Sequence, residues 1–255
     1  MKKDFDMNIW KLDESLESLN IYPLGDVHIG SDMFNEELLS NWTKKVLLDT
    51  NSKVVLVGDM IDNGLKNSKT NCFEARYSPM EQKEILYYYL KPIKDKILGV
   101  VRGNHEYRSV DMADDCPLYD VMCRLQIEDL YRQNANFIKL SLGKRTKDRQ
   151  FAYTMALMHG KSKNKTKNFS YAIDGLDILV TGHLHDADNH FPSKVVFDAH
   201  NEVMRTAKFT HVTVPSFQDF GGYALRDMYL PTSNDITPII ELSGKDEKGV
   251  KLHWV

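Results

Sequence analysis

The chain has 255 residues, 42% of them hydrophobic and 27% charged, with a net charge of −3. That length sustains one large core, so a single domain over residues 1–255 is expected, and the charge excludes a protein that grips nucleic acid by bulk electrostatics. The apolar runs are strand-sized, which excludes a membrane-spanning helix, and the three cysteines (Cys72, Cys116, Cys123) form no CxxC pair or disulfide framework, pointing to thiols in a reducing cytoplasm.

Met1–Asp6 carries two lysines but no apolar run behind them, so it is not read as a signal peptide. Residues 1–19 form an edge strand or a short helix. Ile21–Leu24 is a strand and runs into Gly25-Asp26-Val27-His28, where Asp26 and His28, two apart, can face one side. Residues 35–50 read as a helix: Asn35 is the N-cap, Glu36 and Glu37 lie in the first turn, and Leu38, Leu39, Trp42, Val46 and Leu47 keep helical spacing. Lys53–Val57 is a β-branched run of the kind that makes a buried strand; it breaks at Gly58 and presents Asp59 just past its carboxyl end, where open α/β sheets place their ligands. Strand, helix, strand implies a parallel, right-handed βαβ unit.

Residues 66–78 are polar and turn-rich. Met80–Lys96 reads as a second helix, and Ile97–Val101 as a third strand entering Arg102-Gly103-Asn104-His105-Glu106. A third helix is expected from Pro117 to Gln133. The second half turns to β: Phe137–Leu142 and Phe151–Met158 flank a basic turn, Gly143–Arg149, and the second strand ends at His159-Gly160. A loop with Lys161, Lys163, Lys165 and Lys167 follows; if extended, its lysines share one side. Ile178–Val180 leads to Thr181-Gly182-His183-Leu184-His185. Strand-like stretches near 194–198, 203–214, 236–242 and 250–254 imply a second sheet packed on the first. His190, His200, His211 and His253 fall outside the pattern and read as structural or surface residues.

Five strand ends thus carry candidate ligands: Asp26/His28, Asp59, Asn104/His105, His159 and His183/His185. Imidazole nitrogen and carboxylate oxygen without thiolate suit zinc, iron or manganese. The set is too large for one tetrahedral ion and fits two ions that share Asp59.

The series D-x-H, G-D-x-x-D, G-N-H-E, H-G and G-H-x-H, in this order between residues 21 and 186, resembles the calcineurin-like metallophosphoesterases. The resemblance implies an α/β fold, a four-layer α/β/β/α sandwich of two mixed sheets flanked by helices. It implies that Asp26, His28 and His185 hold one divalent ion, that Asn104, His159 and His183 hold a second, and that Asp59 bridges them, with manganese first among metals that include iron, zinc and nickel. His105 then faces the phosphate as a catalytic acid, with the Asp62 carboxylate as its partner. The implied reaction is metal-dependent hydrolysis of a phosphate ester, foremost a phosphodiester, by in-line attack of a hydroxide bridging the two ions. A repair-exonuclease type of DNA or RNA nuclease is the alternative, with nucleic acid met by Lys161, Lys163, Lys165 and Lys167, and a non-catalytic scaffold comes third. Two departures stand out. Asn63 replaces the arginine of the family's protein phosphatases. The Asp-Val-His-Ile-Gly form of the first motif resembles the nuclease and diesterase branches, yet those carry Asp where Glu106 stands.

Overall fold

Two six-stranded sheets lie face to face in the computed structural model, which describes residues 5–66, 68, 72–146, 149–231 and 235–255. The elements run β1 (Asn8–Lys11), β2 (Ser18–Leu24), α1 (Glu36–Leu48), β3 (Ser52–Leu56), α2 (Pro79–Leu90), β4 (Ile97–Val101), α3 (Asn104–Ala113), α4 (Pro117–Leu125), β5 (Tyr131–Arg132), β6 (Asn136–Thr146), β7 (Arg149–Met158) and α5 (Lys163–Ser170). Then come β8 (Ile178–Thr181), β9 (Asp188–His190), β10 (Ser193–Asp198), β11 (Val203–Lys208), β12 (Thr210–Thr213), α6 (Gly222–Arg226), β13 (Pro238–Ser243) and β14 (Val250–Trp254). The first sheet has the order β14-β13-β2-β3-β4-β5, the second β1-β6-β7-β8-β12-β9, and β10–β11 form a separate hairpin.

The period of two in β3 and its exit sorts the layers. Val54 and Leu56 point to one side, into a cluster with Trp42 and Val46 of α1, Leu86 and Leu90 of α2, and Leu118 and Met122 of α4. Val55 and Val57 point to the other, against Leu140, Tyr153, Leu157, Val180 and Val212 of the second sheet. The outer face of that sheet is covered thinly, by Ile173 and Leu176 in the segment after α5, over Ala156, Met158, Leu179 and Phe209. This is an α/β fold of two mixed sheets with helices.

Register decides where the site falls. Parallel β2, β3 and β4 align Leu24 with Leu56 and Leu56 with Val100. Parallel β7, β8 and β12 align Met158 with Thr181 and Thr181 with Thr213. The carboxyl ends of each parallel set therefore share one edge of their sheet.

Local chemistry explains several helix ends. Asn35 caps α1 by accepting from the Leu38 N–H at 2.9 Å, as expected. Helix α2 starts on a capping box between Ser78 and Glu81. It does not reach Lys96, because Pro92 lacks the N–H that the α pattern needs; residues Lys91–Lys96 tighten into a 3-10 helix instead. The expected helix from Pro117 to Gln133 stops at Leu125, where Gln126 takes a left-handed conformation (φ 62°), and Tyr131–Arg132 become an edge strand. The lysine-rich loop is not extended: from Lys163 it is helix α5, in which alternate residues point to different sides. Lys161 and Lys165 are exposed, and the side chains of Lys163 and Lys167 lie outside the described residues, as do Lys147 and Asp148 of the expected basic turn.

Among the histidines outside the motifs, His253 pairs with Glu241 at 2.9 Å and His200 is exposed near the β10–β11 turn. His211 is buried on β12, between the Thr181 hydroxyl at 2.8 Å and the His190 ring at 2.9 Å. Burial, then the neighbouring His190, pulls its pKa down to about 3. The unfolded chain, with histidine near 6.5, therefore binds more protons between these values, so stability is complete above about pH 6.5 and falls as pH drops, by up to about 1.4 kcal/mol per unit. Urea midpoints from pH 7.5 to 5 are expected to fall less steeply in His211→Gln than in the parent at equal metal loading. Equal slopes would assign the acid sensitivity to other groups.

Candidate metal centre

The loops leaving β2 and β3 stay paired beyond the strands: the Asp26 N–H donates to the Gly58 carbonyl and the His28 N–H to the Asp59 carbonyl, both at 3.0 Å. To hold this path, Asp26, His28 and Asp59 adopt φ of 49–51°, and on the opposing sheet His183 and His185 adopt 73° and 55°. Non-glycine residues rarely occupy this region, and such strain gathers at functional sites. Small residues let the loops close. A Cβ at Gly103 would run into the Asp59 carboxylate, and one at Gly182 would stand 2.5 Å from Asp26 Oδ2.

All seven sequence-predicted ligands come together. Asp26 Oδ1 lies 3.5 Å from His185 Nε2 and 3.8 Å from His28 Nε2, and those two ring nitrogens face each other at 3.1 Å. Asn104 Oδ1 lies 3.0 Å from His159 Nε2 and 2.7 Å from His183 Nδ1. Between the groups, Asp59 Oδ2 is 3.2 Å from His159 Nε2 and 3.9 Å from His28 Nε2. His159 donates its Nδ1–H to the Val57 carbonyl at 2.8 Å, which fixes the tautomer and leaves Nε2 toward the centre. Asp26–His28–His185 and Asp59–His159–His183 each bring their ligand atoms within 4.8 Å of one another.

This donor set fits divalent cations. Asp26 Oδ1, which faces the Nε2 atoms of His28 and His185, is buried with no hydrogen-bond partner. Burial, then Asp59, pushes Asp26 up to about 7, despite the opposing pull of His159. Burial keeps His28 and His183 low and His185 down to about 4, so their imidazoles stay in the neutral form that binds metal. Burial also opposes ionisation of Asp59 and protonation of His159, but each outweighs it for the other: Asp59 is held well below its ordinary value and His159 is lifted to about 10. A cation shared by these two residues competes with that proton.

His105 lies beside these two groups. Its Nδ1 meets the Asp62 carbonyl at 2.7 Å, while the carboxylate expected as its partner is farther, at 3.3 Å. Its Nε2 lies 3.8 Å from Asp59 Oδ2 and 3.0 Å from Arg108 Nη2. His28, Asp59 and His105 also bring ligand atoms within 4.8 Å, but a guanidinium N–H aimed at Nε2 takes up the lone pair a cation would need. Burial lowers the His105 pKa, but Asp59 and Asp62 raise it more, and the net shift is upward.

Glu106 holds the architecture together. Fully buried, it accepts from the N–H groups of Asp59 at 3.0 Å, Met60 at 2.7 Å and Gly103 at 2.8 Å, tying the β3 loop to the first turn of α3. The tail adds a second brace: the Ser216 hydroxyl and the Phe217 N–H both donate to the Asp26 carbonyl at 3.0 Å.

The model of the calcineurin-like phosphoesterase family matches residues 19–187, about two-thirds of the chain. The chain belongs to the calcineurin-like phosphoesterases. This family is one of metallophosphoesterases that bind a dinuclear divalent metal centre, and the centre described above lies within the matched span. Solved structures similar to this calcineurin-like chain are distant. A conserved protein of Streptococcus pneumoniae described as a predicted phosphoesterase is 12% identical, covering 94% of this chain and 91% of its own, with a TM-score of 0.43. Vps29 of Entamoeba histolytica, complexed with zinc, is 14% identical, covering 93% and 98%, at 0.41. The calcineurin-like phosphoesterase YfkN of Bacillus subtilis is 11% identical, covering 93% and 90%, at 0.44. No curated protein sequence matches the chain significantly.

Proposed function

We propose that the protein hydrolyses phosphate esters, foremost phosphodiesters, at a two-cation centre. Asp26, His28 and His185 hold one ion; Asn104, His159 and His183 hold the other; Asp59 serves both. The observation that carries this reading is the Asp59 carboxylate lying between the two groups, 3.2 Å from His159 and 3.9 Å from His28. When bound, the cations supply an activated water at neutral pH and neutralise phosphoryl oxygens. The protein's own part is orientation. Val57 fixes the His159 ring, Glu106 fixes the loop of Asp59, and Asp62 fixes His105 with Nε2 turned to the leaving oxygen. Donors of nitrogen and oxygen with no thiolate suit manganese, iron or zinc, and the family resemblance puts manganese first. The free thiols of Cys72, Cys116 and Cys123 fit a reducing compartment, and among the described residues no helix is long and apolar enough to cross a membrane.

Protein stripped with EDTA and reloaded with manganese is expected to cleave bis(p-nitrophenyl) phosphate, and faster than p-nitrophenyl phosphate. Reloaded protein that leaves diester, monoester and single-stranded DNA untouched would overturn the reading in favour of a scaffold. A nuclease reading keeps one specific support: Lys161, exposed two residues after His159, lies near enough for its charge to act on His183. Its mark would be DNA cleavage that weakens steeply with salt.

A further inference from the structure

The missing arginine of the G-D-x-x-D motif has a replacement elsewhere. Asn63, which stands in its place, is buried and committed. Its amide donates to the His105 carbonyl and to the Ser109 hydroxyl, each at 2.8 Å, and its N–H donates to Gln82 at 2.9 Å. Asn63 thus clamps α3 and reaches no phosphate.

Helix α3 carries the cation instead. Its sequence buries only His105 and Glu106, so packing does not dictate the rest of its face. Arg108 follows His105 at i+3, the spacing that brings two side chains to one side of a helix. It is half-buried; Nη1 donates to the Asp62 carbonyl and Nη2 lies on His105 Nε2, both at 3.0 Å. The same carbonyl therefore anchors the ring through Nδ1 and the guanidinium through Nη1, and the two are set as one unit.

We infer that Arg108 is the phosphoryl-binding guanidinium of this site: it takes a non-bridging oxygen of the substrate's phosphate beside the oxygen met by His105. This rests on the phosphoesterase reading above. An oxygen within hydrogen-bond range of His105 Nε2 is within reach of Nη2, which is 3.0 Å from that nitrogen. Transfer of the Nη2–H from the imidazole to a phosphoryl oxygen exchanges a neutral acceptor for an anionic one, and charge-assisted hydrogen bonds of this kind are the stronger class. The same movement frees the Nε2 lone pair, which takes a proton from solvent before it can give one to the leaving oxygen. Arg108 so binds the phosphoryl group and, by leaving His105, opens Nε2 to protonation.

The test uses manganese-loaded full-length protein with Arg108→Gln and Arg108→Lys. Glutamine keeps a donor toward His105 without charge; lysine keeps the charge without the planar fork. Metal content is read first and is expected to be unchanged. Inorganic phosphate affinity, measured by calorimetry, is expected to fall about 10- to 100-fold in Arg108→Gln, the range for losing a hydrogen bond to a charged group, and less in Arg108→Lys. The KM for the diester should rise in parallel, and added guanidinium ion should restore part of the loss in Arg108→Gln. A parent that cleaves diesters while both variants keep parental phosphate affinity and KM overturns the Arg108 assignment alone. A loaded parent that neither binds phosphate nor cleaves any ester overturns the underlying reading as well. Loss of metal in both variants makes Arg108 a support of the metal loops and equally rejects the assignment.

Discussion

Asp59→Asn is expected to abolish turnover and lower the content of both metals. The substitution changes almost no volume, and its remaining carbonyl oxygen can still accept the His105 N–H that Asp59 Oδ1 holds at 2.8 Å. What it removes is the negative charge that faces His159 at 3.2 Å and His28 at 3.9 Å. Changes in outer residues around metals typically cost 10- to 100-fold in affinity, and loss of a ligand shared by two ions should exceed that. Metal analysis after gel filtration, alongside diester hydrolysis, checks it. A variant that keeps two metals and near-parental rates would remove Asp59 from the bridging position. The fold should survive, because Glu106 grips the loop through the backbone N–H of residue 59 and not through its side chain.

His105→Ala is expected to spare both metals and still lower the rate. Its Nδ1 is bound to the Asp62 carbonyl at 2.7 Å and its Nε2 to Arg108 at 3.0 Å, so neither nitrogen is needed to retain a cation. Both metals should stay while the rate falls about 10²- to 10⁴-fold, the usual range for an acid–base group. The loss should shrink for nitrophenolate leaving groups, which need little protonation, and grow for alkoxides. The sign with pH follows from the charges around the ring. Burial and the Arg108 charge oppose the imidazolium, but Asp59 and Asp62 favour it more, so once Nε2 is released from Arg108 the acid form persists above the ordinary histidine range and activity declines as pH rises through the raised pKa. That alkaline decline should vanish in the variant. A penalty equal for good and poor leaving groups would refute the acid role, and loss of metal would make His105 a ligand.

The five strand ends were legible because one physical signature repeats: a buried apolar run that ends in a glycine next to a carboxylate, amide or imidazole. Val54–Val57 before Gly58-Asp59 is the plainest case, and the parallel register of β2, β3 and β4 places such ends side by side. Helix α3 was not legible. Asn104–Ala113 has no apolar stripe, and only His105 and Glu106 of it are buried, so periodicity had nothing to detect. Without that helix, the i+3 relation of His105 and Arg108 is invisible, and so is the reach of Glu106 back to the backbone N–H groups of Asp59, Met60 and Ile61. Lysine spacing misled for the same reason. Read as an extended loop, Lys161–Lys167 shows one basic side, but from Lys163 the backbone is helical, so alternation no longer defines a side. Capping chemistry was recoverable at Asn35, where the side chain and the first turn agree.

Strand β2, which delivers Asp26 and His28, lies between β3 and β13. Its outer neighbour is thus a segment translated more than two hundred residues later, and the Asp26 carbonyl is gripped by Ser216 and Phe217 on the way there. On the ribosome, a chain that has already exposed every ligand from Asp26 to His185 still lacks the strand and the tail that fix the first of them. On the proposed two-cation reading, the geometry around Asp26 is therefore completed only after every other ligand has been made.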